Sequence, residues 1–261
     1  MKKSKLLKMI TVLSTSALLM GMLAGCGNQS AQTNGEAGSG KDYIIMGTNA
    51  EFEPFEYREG TEIVGLDVEI GKAIAEKLGK ELKVEDMEFS TLLAQLDAGS
   101  VDFVAAGLSI DEERSKQVDF SDTYFESKQV IIVREDNTDI QVAEDLAGKT
   151  VGVQLGTTGD KFVSDNKDIT CVPFDKGALA VMDLANGKID AVVIDAEPAK
   201  RMVEAQGGLK VLDAPFVEEE YAIAVKKGDE ALQKAINETL AEIKANGKYD
   251  EIYAKFFNAA E

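Results

Sequence analysis

The sequence lacks histidine and tryptophan altogether, and its 261 residues include only two cysteines and four prolines. Without histidine, the chain has no copy of the most common general base and the most common metal ligand. Two cysteines, Cys26 and Cys171, are too few for a cysteine-rich zinc cluster and do not indicate a stabilising disulfide. We therefore expect no catalytic residues, no metal site and no cofactor.

Basic side chains are also scarce, since 28 lysines and arginines stand against 47 aspartates and glutamates and give a formal net charge of −19. A surface of this sign repels phosphate groups, which excludes nucleic acid as a partner. The hydrophobic content of 44% is that of an ordinary globular protein. It predicts one or two domains, each with its own core.

The first 25 residues are typical of a signal peptide, with early lysines followed by an apolar run over 9–22. This run is shorter than the ~20 residues of a membrane-spanning helix. The sequence LAGC at 23–26 resembles the bacterial lipobox, in which the cysteine becomes the lipid-modified, palmitate-bearing first residue of the mature protein. A chance cysteine behind a small-residue cleavage site is the alternative. Residues 26–41 would then form a lipid anchor and flexible tether.

From Asp42 onward, apolar strands alternate with amphipathic helices, which predicts an α/β fold with parallel strands. The predicted strands are 43–48, 82–87, 101–106, 130–133, 150–153, 169–174, 189–194, 209–212 and 221–225. The first helix is predicted over 67–78, with Asp67 as its N-cap and Gly79 at its C-terminal end.

The remaining length predicts two lobes, because about 220 residues exceed what one compact sheet of this kind usually takes. The last helix is predicted over 248–257. The residues expected to face its core are Ile252, Tyr253, Phe256 and Phe257.

Residues 107–114 (GLSIDEER) leave an apolar strand and bring an arginine into a turn. The guanidinium of Arg114 suits a carboxylate bidentately, Ser109 adds a hydroxyl, and Gly107 permits close approach to the backbone. Arg114 capping a helix or pairing with Asp111 or Glu112 is the open alternative.

Asp195 ends an apolar strand, at the edge where open α/β sheets bind ligands. An N-cap role for the following helix is equally compatible with its position. The glycine-rich segment 156–159 lacks the spacing and the lysine of a phosphate-binding loop, which argues against a nucleotide.

Several ordered motifs together resemble the polar-amino-acid solute-binding proteins of ABC importers, such as the glutamine-binding and the lysine/arginine/ornithine-binding proteins. They are GTNAEFEPFEY (47–57), VGLDVEI (64–70), GLSIDEER (107–114), DFSD (119–122), GVQLGTT (152–158), DAVVID (190–195) and NGKYDEI (246–252). The resemblance covers about residues 42–258.

This resemblance implies a two-lobe, periplasmic-binding-protein-like fold of type II with a mainly parallel sheet in each lobe. Lobe 1 would comprise 42–124 and 222–261, and lobe 2 would comprise 128–218. Hinges would lie near 124–128 and 218–222.

The resemblance also implies roles for individual residues at a ligand site between the lobes. Arg114, Ser109 and Thr158 would bind the ligand carboxylate, and Asp195 with the Gly107 carbonyl would bind its ammonium group. Phe52 and Phe89 would flank the ligand side chain, although both are otherwise typical core aromatics. Asn49 and Gln154 would line the side-chain pocket.

The implied protein is an extracytoplasmic, lipid-anchored monomer that captures a free L-amino acid and presents it to an ABC permease and its ATPase. The lysine/arginine/ornithine- and glutamine-binding relatives carry an acid at the position of Asn49, which is neutral here and favours glutamine-like ligands over arginine. Glu51 and cation–π contact with Phe52 and Phe89 favour arginine instead, although Glu51 is also typical of a solvated loop carboxylate. We therefore expect a polar amino acid, with glutamine-like neutral ligands slightly ahead of arginine, and lysine and cystine as further alternatives.

Two other classes share this fold. One is a secreted cyclohexadienyl-type dehydratase, in which Glu51, Glu53 or Asp195 would donate a proton. The other is a sensory ligand-binding domain, for which no signalling segment follows in this sequence.

Overall fold

Strands and helices alternate along the chain in the computed structural model, which describes residues 41–214 and 217–258. The strands in these ranges are β1 (Tyr43–Thr48), β2 (Glu51–Phe52), β3 (Glu56–Glu59), β4 (Glu62–Val64), β5 (Glu81–Asp86), β6 (Phe103–Val104), β7 (Val118–Phe120), β8 (Phe125–Arg134), β9 (Thr150–Gln154), β10 (Thr170–Phe174), β11 (Ala191–Asp195), β12 (Leu209–Val211), β13 (Val217–Tyr221) and β14 (Ala224–Lys226). The helices are α1 (Leu66–Lys77), α2 (Leu92–Asp97), α3 (Glu112–Gln117), α4 (Thr158–Asp165), α5 (Gly177–Ala185), α6 (Ala196–Gln206), α7 (Glu230–Ala245) and α8 (Lys248–Phe257), with short 3-10 helices at Phe89–Thr91 and Ala143–Leu146. The predicted α/β class is confirmed.

The first sheet has the strand order β5-β1-β6-β14-β7. Strand β1 runs parallel to β5 and β6, whereas β14 runs antiparallel to β6 and β7. Helices α1, α7 and α8 pack against one another beside this sheet. Their core side chains recur every four residues, as Ile70 and Ile74 do in α1 and Ile236 and Leu240 do in α7, which places one apolar stripe of each helix in the core.

The second sheet has the order β10-β9-β11-β8-β12, and β13 pairs with β8 as well. Strand β9 runs parallel to β10 and β11, and β8 runs antiparallel to its three partners. Successive side chains in the centre of β8 and β11, such as Ile131 and Ile132 or Val192 and Val193, are all buried. Burial of both faces explains why these strands form continuous apolar runs in the sequence.

The chain crosses between the two sheets twice, and the two crossings lie side by side. Strand β8 begins at Phe125 soon after the chain leaves the first sheet, and β13 ends at Tyr221 just before the chain returns. The antiparallel register of β8 and β13 places Phe125 opposite Tyr221. The stretches expected to be hinges, near 124–128 and 218–222, include these crossings. Their action as hinges and the division into separate lobes stay predictions.

The prediction of a single strand over 221–225 is wrong. The chain instead forms β13 and β14, which belong to different sheets, with Ala222 and Ile223 between them. An apolar run cannot reveal this break, since the run from Tyr221 to Val225 is buried throughout. Because the crossing strands pair antiparallel, each sheet is mixed rather than mainly parallel.

The predicted N-cap role of Asp67 is also wrong. Helix α1 already begins at Leu66, so Asp67 lies within its first turn and its side chain is fully buried. The carboxylate accepts hydrogen bonds from the Gly107 backbone N–H and the Tyr124 hydroxyl, at 2.9 Å and 2.7 Å. Asp67 thus ties α1 to the loop after β6 and to the first crossing.

An aromatic cluster packs at the crossings. The ring of Phe55 meets Tyr221 at 5.1 Å and Phe257 at 5.4 Å between centroids, in edge-to-face geometry. Phe125 stacks on Phe257 at 5.4 Å, so helix α8 contacts the first crossing directly. Tyr253 was predicted to face the core but is 36% exposed, and it stacks on Phe257 from the outside.

Candidate functional site

A small cavity of about 10 Å³ lies where the two sheets meet. Its lining residues are Asn49, Phe52, Glu56, Phe89, Ala106, Gly107, Ser109, Arg114, Gln154, Thr157, Thr158 and Asp195. All nine residues predicted to bind the ligand are among them, although the sequence separates the first from the last by more than half of the chain. Two larger grooves, of about 700 Å³ and 900 Å³, share some of these residues, but neither includes both Arg114 and Asp195.

Arg114 is only 8% exposed, and each arm of its guanidinium has a partner. Helix α3 positions it, because the Asp111 carboxylate caps that helix by accepting from the Arg114 backbone N–H. Nη1 donates to the Ser109 carbonyl at 2.7 Å, Nη2 donates to the Gly156 carbonyl at 2.9 Å, and Nε lies 3.1 Å from Asp111. Arg114 therefore pairs with Asp111, as the alternative interpretation expected, and it also lines the cavity.

The contact between Arg114 and Gly156 joins the two sheets, because Gly156 follows β9 and Arg114 follows β6. Gly156 has a φ of 82° and would place a Cβ atom 3.2 Å from Ser90. Only glycine adopts this backbone at so close an approach without strain. Burial lowers the pKa of Arg114 and the nearby Asp111 raises it, and the guanidinium stays charged.

The two hydroxyl residues predicted to bind the ligand carboxylate hold other partners in this structure. The Ser109 hydroxyl donates to Glu219 of β13 at 2.6 Å, and the Thr158 hydroxyl accepts from the Gln129 amide at 3.3 Å. Their side chains do line the cavity. The assignment of both to the carboxylate stays a prediction.

Asp195 lies at the N-cap position of α6, but its side chain does not cap that helix. It is 4% exposed and accepts hydrogen bonds from three side chains. The Gln129 amide donates at 2.9 Å, the Ser127 hydroxyl at 3.2 Å, and the Tyr221 hydroxyl also donates to it. The N-cap alternative is therefore wrong, since these donors come from β8 and β13.

Burial, followed by the charge of Glu219, raises the pKa of Asp195 to about 7. The three hydrogen bonds from its neighbours act in the opposite direction, because they stabilise the ionised form. Tyr221 responds to the same surroundings, and burial and the Asp195 charge raise its pKa well above its usual value. Asp195 is thus an acid whose charge depends on what lies beside it.

Two amides connect the sheets on the far side of the cavity. The Gln154 side chain donates to the Asn49 carbonyl oxygen at 2.9 Å, and the Asn49 amide donates to the Met87 backbone carbonyl at 2.9 Å. Both side chains are buried and line the cavity, as predicted for a side-chain pocket. They offer one neutral donor and one neutral acceptor to a polar group.

Glu51 of β2 is ion-paired with Lys176, which precedes α5. The two side chains are 28% and 44% exposed. A second ion pair joins Glu53, which follows β2, to Arg201 of α6 at 3.6 Å. Glu51 is thus a partly exposed, ion-paired residue of β2 that precedes the cavity residue Phe52, and neither Glu51 nor Lys176 lines the cavity. A contact between Glu51 and the ligand stays a prediction.

The two aromatic residues of the site differ in their surroundings. Phe52 is buried, and a Cβ atom at Gly107 would lie 2.9 Å from its ring, so glycine is required there for the ring to fit. Phe89 is half-buried, with the Arg114 guanidinium 5.6 Å from its ring centroid in a cation–π contact. Both line the cavity rather than the core alone.

Several residues at the site were not identified from the sequence. They are Glu56, Thr157, Ser127, Gln129, Glu219 and Tyr221. Gln129 could have been identified from the sequence, since it is a polar residue at the edge of the apolar run of β8. Glu56 could not, because an acid between two aromatic residues normally points to solvent.

The predicted lipidation site Cys26, the predicted signal peptide and the predicted tether up to residue 40 lie outside the described residues. The described cysteine, Cys171, is a half-buried free thiol in β10. Within 41–214 and 217–258, no helix is both long and apolar enough to cross a bilayer.

Residues 44–259 match the family model of the bacterial extracellular solute-binding proteins, family 3. The arginine-binding extracellular protein ArtP of Bacillus subtilis is 36% identical over 252 residues, which cover 94% of this chain and 96% of that protein. A crystal structure of an ArgBP variant from T. maritima has a TM-score of 0.80 and 44% identity, covering 83% of this chain and 96% of that one. An ancestral arginine-binding protein bound to glutamine has a TM-score of 0.80 and 41% identity, covering 83% and 98%.

Proposed function

The chain belongs to the bacterial extracellular solute-binding proteins of family 3, and on that premise we propose that it captures a free polar L-amino acid and delivers it to an ABC permease. The permease would be driven by a separate ATPase, and the binding protein would be held at the outer face of the cell membrane through a lipid on Cys26. It would act as a monomer and without catalysis of its own.

The observation that carries this proposal is the pairing of opposite charges in one buried cavity. Arg114 and Asp195 both line it, and they lie close enough for the charge of Asp195 to raise the pKa of Arg114. A free amino acid is a zwitterion whose carboxylate and ammonium groups need such complements. A neutral sugar or a simple anion would leave one of the two buried charges unmatched.

The ligand would take over contacts that the two sheets make with each other in this structure. Its carboxylate would accept from the Arg114 Nη2 group that now donates to Gly156, and its ammonium would face Asp195 and the Gly107 carbonyl. Its side chain would enter between Phe52 and Phe89, next to the amide pair of Asn49 and Gln154.

Entry requires the two regions to move apart. A cavity of about 10 Å³ has room for a single water molecule, whereas sites for small ligands span roughly 300 to 1,000 Å³. We expect opening at the predicted hinges and closure around the ligand, because binding both regions at once favours the closed form. Small-angle scattering should show a smaller radius of gyration with ligand. Confirmed binding without compaction would contradict hinge closure.

Arginine is the first candidate for the ligand. The neutral Asn49 argues for glutamine, but Glu51 supplies an acid next in the chain to the cavity residue Phe52, and relatives of this chain are named as arginine-binding. The ancestral protein bound to glutamine supports glutamine as the second candidate, together with the Asn49 and Gln154 amides.

A thermal-shift screen of the chain from Gly27 onward tests the proposal. The ligands are the twenty amino acids with ornithine, citrulline and cystine, and Arg114→Ala is the matched control. A ligand at 100 times its Kd stabilises the native state by about 2.7 kcal/mol, so its melting temperature rises clearly. No shift with any of them would contradict the proposal. Turnover of a cyclohexadienyl acid would favour the dehydratase alternative instead.

A further inference from the structure

Two buried carboxyl groups, Glu56 and Asp67, meet beside the ligand cavity. Glu56 is 1% exposed and lines the cavity itself. The antiparallel register of β2 and β3 places Glu56 opposite Phe52, so the acid shares a wall with one of the predicted aromatic contacts. Asp67 is also fully buried, and its Oδ2 atom holds the Gly107 backbone N–H.

Each of these carboxyl groups has one oxygen without a hydrogen-bond donor in the described part of the chain, namely Glu56 Oε2 and Asp67 Oδ1. Leaving two buried acceptors without donors is costly. The two side chains interact with each other, and the Glu56 carboxyl stabilises the ionised form of Asp67 by a hydrogen bond. One proton, carried by Glu56 and donated to Asp67, therefore satisfies both groups.

The charged and titratable groups around the pair offer no cation that would ionise Glu56. Burial and then Asp67 raise the pKa of Glu56 well above its usual value, and the more distant Asp195 and Asp86 add to this. The Gly107 N–H and the Tyr124 hydroxyl reach only Asp67, whose pKa burial raises to about 6. Tyr249 of α8 is the other titratable neighbour, and burial and the Asp67 charge raise its pKa.

Arg114 lines the same cavity, but its donors are bound to two carbonyls and Asp111. Glu56 and Asp195 therefore line the cavity and Asp67 interacts with Glu56, and within the described residues no free positive charge accompanies these three acids. A cationic group that enters there supplies the missing charge.

We propose that Glu56 is a further ligand-binding residue, and that entry of the ligand's ammonium group releases the proton that Glu56 shares with Asp67. This inference rests on the proposed function. The protonated Glu56 loses its proton to solvent, its negative charge remains on the carboxylate, and the ammonium group takes the place of the proton. No bond other than O–H breaks, and the ligand keeps its charge.

Proton release makes binding tighter as pH rises. One released proton gives an affinity that changes by up to about tenfold per pH unit. Asp195, with a pKa of about 7, is a second candidate proton source in the same cavity. The test must show which of the two acids, Glu56 or Asp195, releases the proton. Counting the protons released per ligand bound in the amide variant of each acid does so.

Isothermal titration calorimetry of the chain from Gly27, with arginine and glutamine as probes, gives these counts. Titrations at pH 6.5 in two buffers of different ionisation enthalpy measure the protons released per ligand bound. We expect Glu56→Gln to release about one proton fewer than wild type and to bind about tenfold more weakly at pH 8. The Asp195→Asn variant should still release the Glu56 proton when the ligand binds. Glu59→Gln, an exposed acid on the same strand, is the matched control and should match wild type.

If Glu56→Gln does not fold, Asp67→Asn gives a second measurement, because an amide at 67 donates to an ionised Glu56 and removes the shared proton. Unchanged proton release in the folded variant, with ligand still bound, would overturn the role of Glu56 and leave the proposed function in place. Failure of wild type to bind any amino acid would overturn both.

Discussion

The two ends of the cavity hold opposite charges by different means. At one end, the Arg114 guanidinium keeps its charge at every working pH and is fixed by two backbone carbonyls and Asp111. At the other end, Asp195 is held by a tyrosine hydroxyl, a serine hydroxyl and an amide, and its pKa lies near 7. The attraction of Arg114 for a ligand carboxylate is therefore independent of pH, whereas the attraction of Asp195 for a ligand ammonium group changes with pH.

The largest expected effect is at the Arg114 end of the cavity. Arg114→Ala should weaken ligand binding by roughly 2 to 5 kcal/mol, because the ligand carboxylate would be buried without its charged partner. Calorimetry at pH 6, 7 and 8 should find the same loss at each pH.

Arg114→Lys should not restore this affinity, since a point charge cannot replace three fixed donors. Arg58→Ala is the matched control, because Arg58 is an exposed arginine of β3 that pairs with Asp86 outside the cavity. An affinity within threefold of wild type in Arg114→Ala would remove the guanidinium from the site.

The next effect is at the Asp195 end of the cavity. The pKa values of Asp195 and Asp67, about 7 and about 6, both lie above the ordinary value of an aspartate in an unfolded chain. The native state therefore binds more protons than the unfolded state between about pH 4 and pH 7. Their contribution to stability is fully present below pH 4 and is lost as pH rises through 7.

We accordingly expect the ligand-free protein to melt at a lower temperature at pH 8 than at pH 5. Asp195→Asn should flatten this dependence and should weaken ligand binding by about 1 to 3 kcal/mol at pH 8. Differential scanning calorimetry across this range checks the first result, with the exposed Asp165→Asn as control. A melting temperature that rises steadily toward pH 8 would reverse the assigned sign.

A smaller effect is expected at Glu51, which precedes the cavity residue Phe52 in β2. The ion pair of Glu51 and Lys176 is partly exposed, and pairs of this kind contribute about 0.2 to 1 kcal/mol. Glu51→Gln should therefore change glutamine affinity by less than about fivefold.

If arginine is the ligand, the same variant should lose its preference for arginine over glutamine, because the guanidinium loses its acid. Competition between the two amino acids measures this. Glu53→Gln is the matched control, since Glu53 also adjoins Phe52 in the chain and is also ion-paired, with Arg201 of α6. A strong arginine preference that survives in Glu51→Gln would assign the side-chain contact to another residue.

The smallest effect on binding is expected from Cys26→Ser. The substitution should release the protein from membranes and leave ligand affinity unchanged, because Cys26 lies outside residues 41–258 that build the cavity. Membrane fractionation checks the release, with Cys171→Ser as control. If the Cys26→Ser variant stays in the membrane fraction after signal-peptide removal, the lipid anchor is contradicted.

The sequence predicted which residues meet in the cavity better than it predicted what each one contacts. Arg114, Gln154 and Asp195 lie at or after the carboxyl ends of strands, and a sheet edge brings such positions together whatever the loops do. The hydrogen bond from Ser109 to Glu219 depends on how β13 crosses between the sheets, which no local pattern encodes.

Burial of acids was the other point that the sequence could not reveal. In the sequence, Asp67 resembles a helix cap, and Glu56 alternates with aromatic residues as a solvent-facing strand residue does. Both are buried because tertiary packing brings them to each other, and brings Asp67 to Gly107 and Tyr124. The sequence therefore predicts the site residues that lie at strand ends, but it does not predict which acids are buried and hold protons.

Strand β14 lies between β6 and β7 in the first sheet, although it follows the whole second sheet in the chain. Synthesis begins at the N-terminus, so the second sheet, whose strands all lie within 125–221, can form before the first sheet is complete. Until Ala224 arrives, β6 and β7 present open edges, and such edges pair readily with other chains. Products truncated before this strand should aggregate, even though nearly every residue of the cavity has already been synthesised.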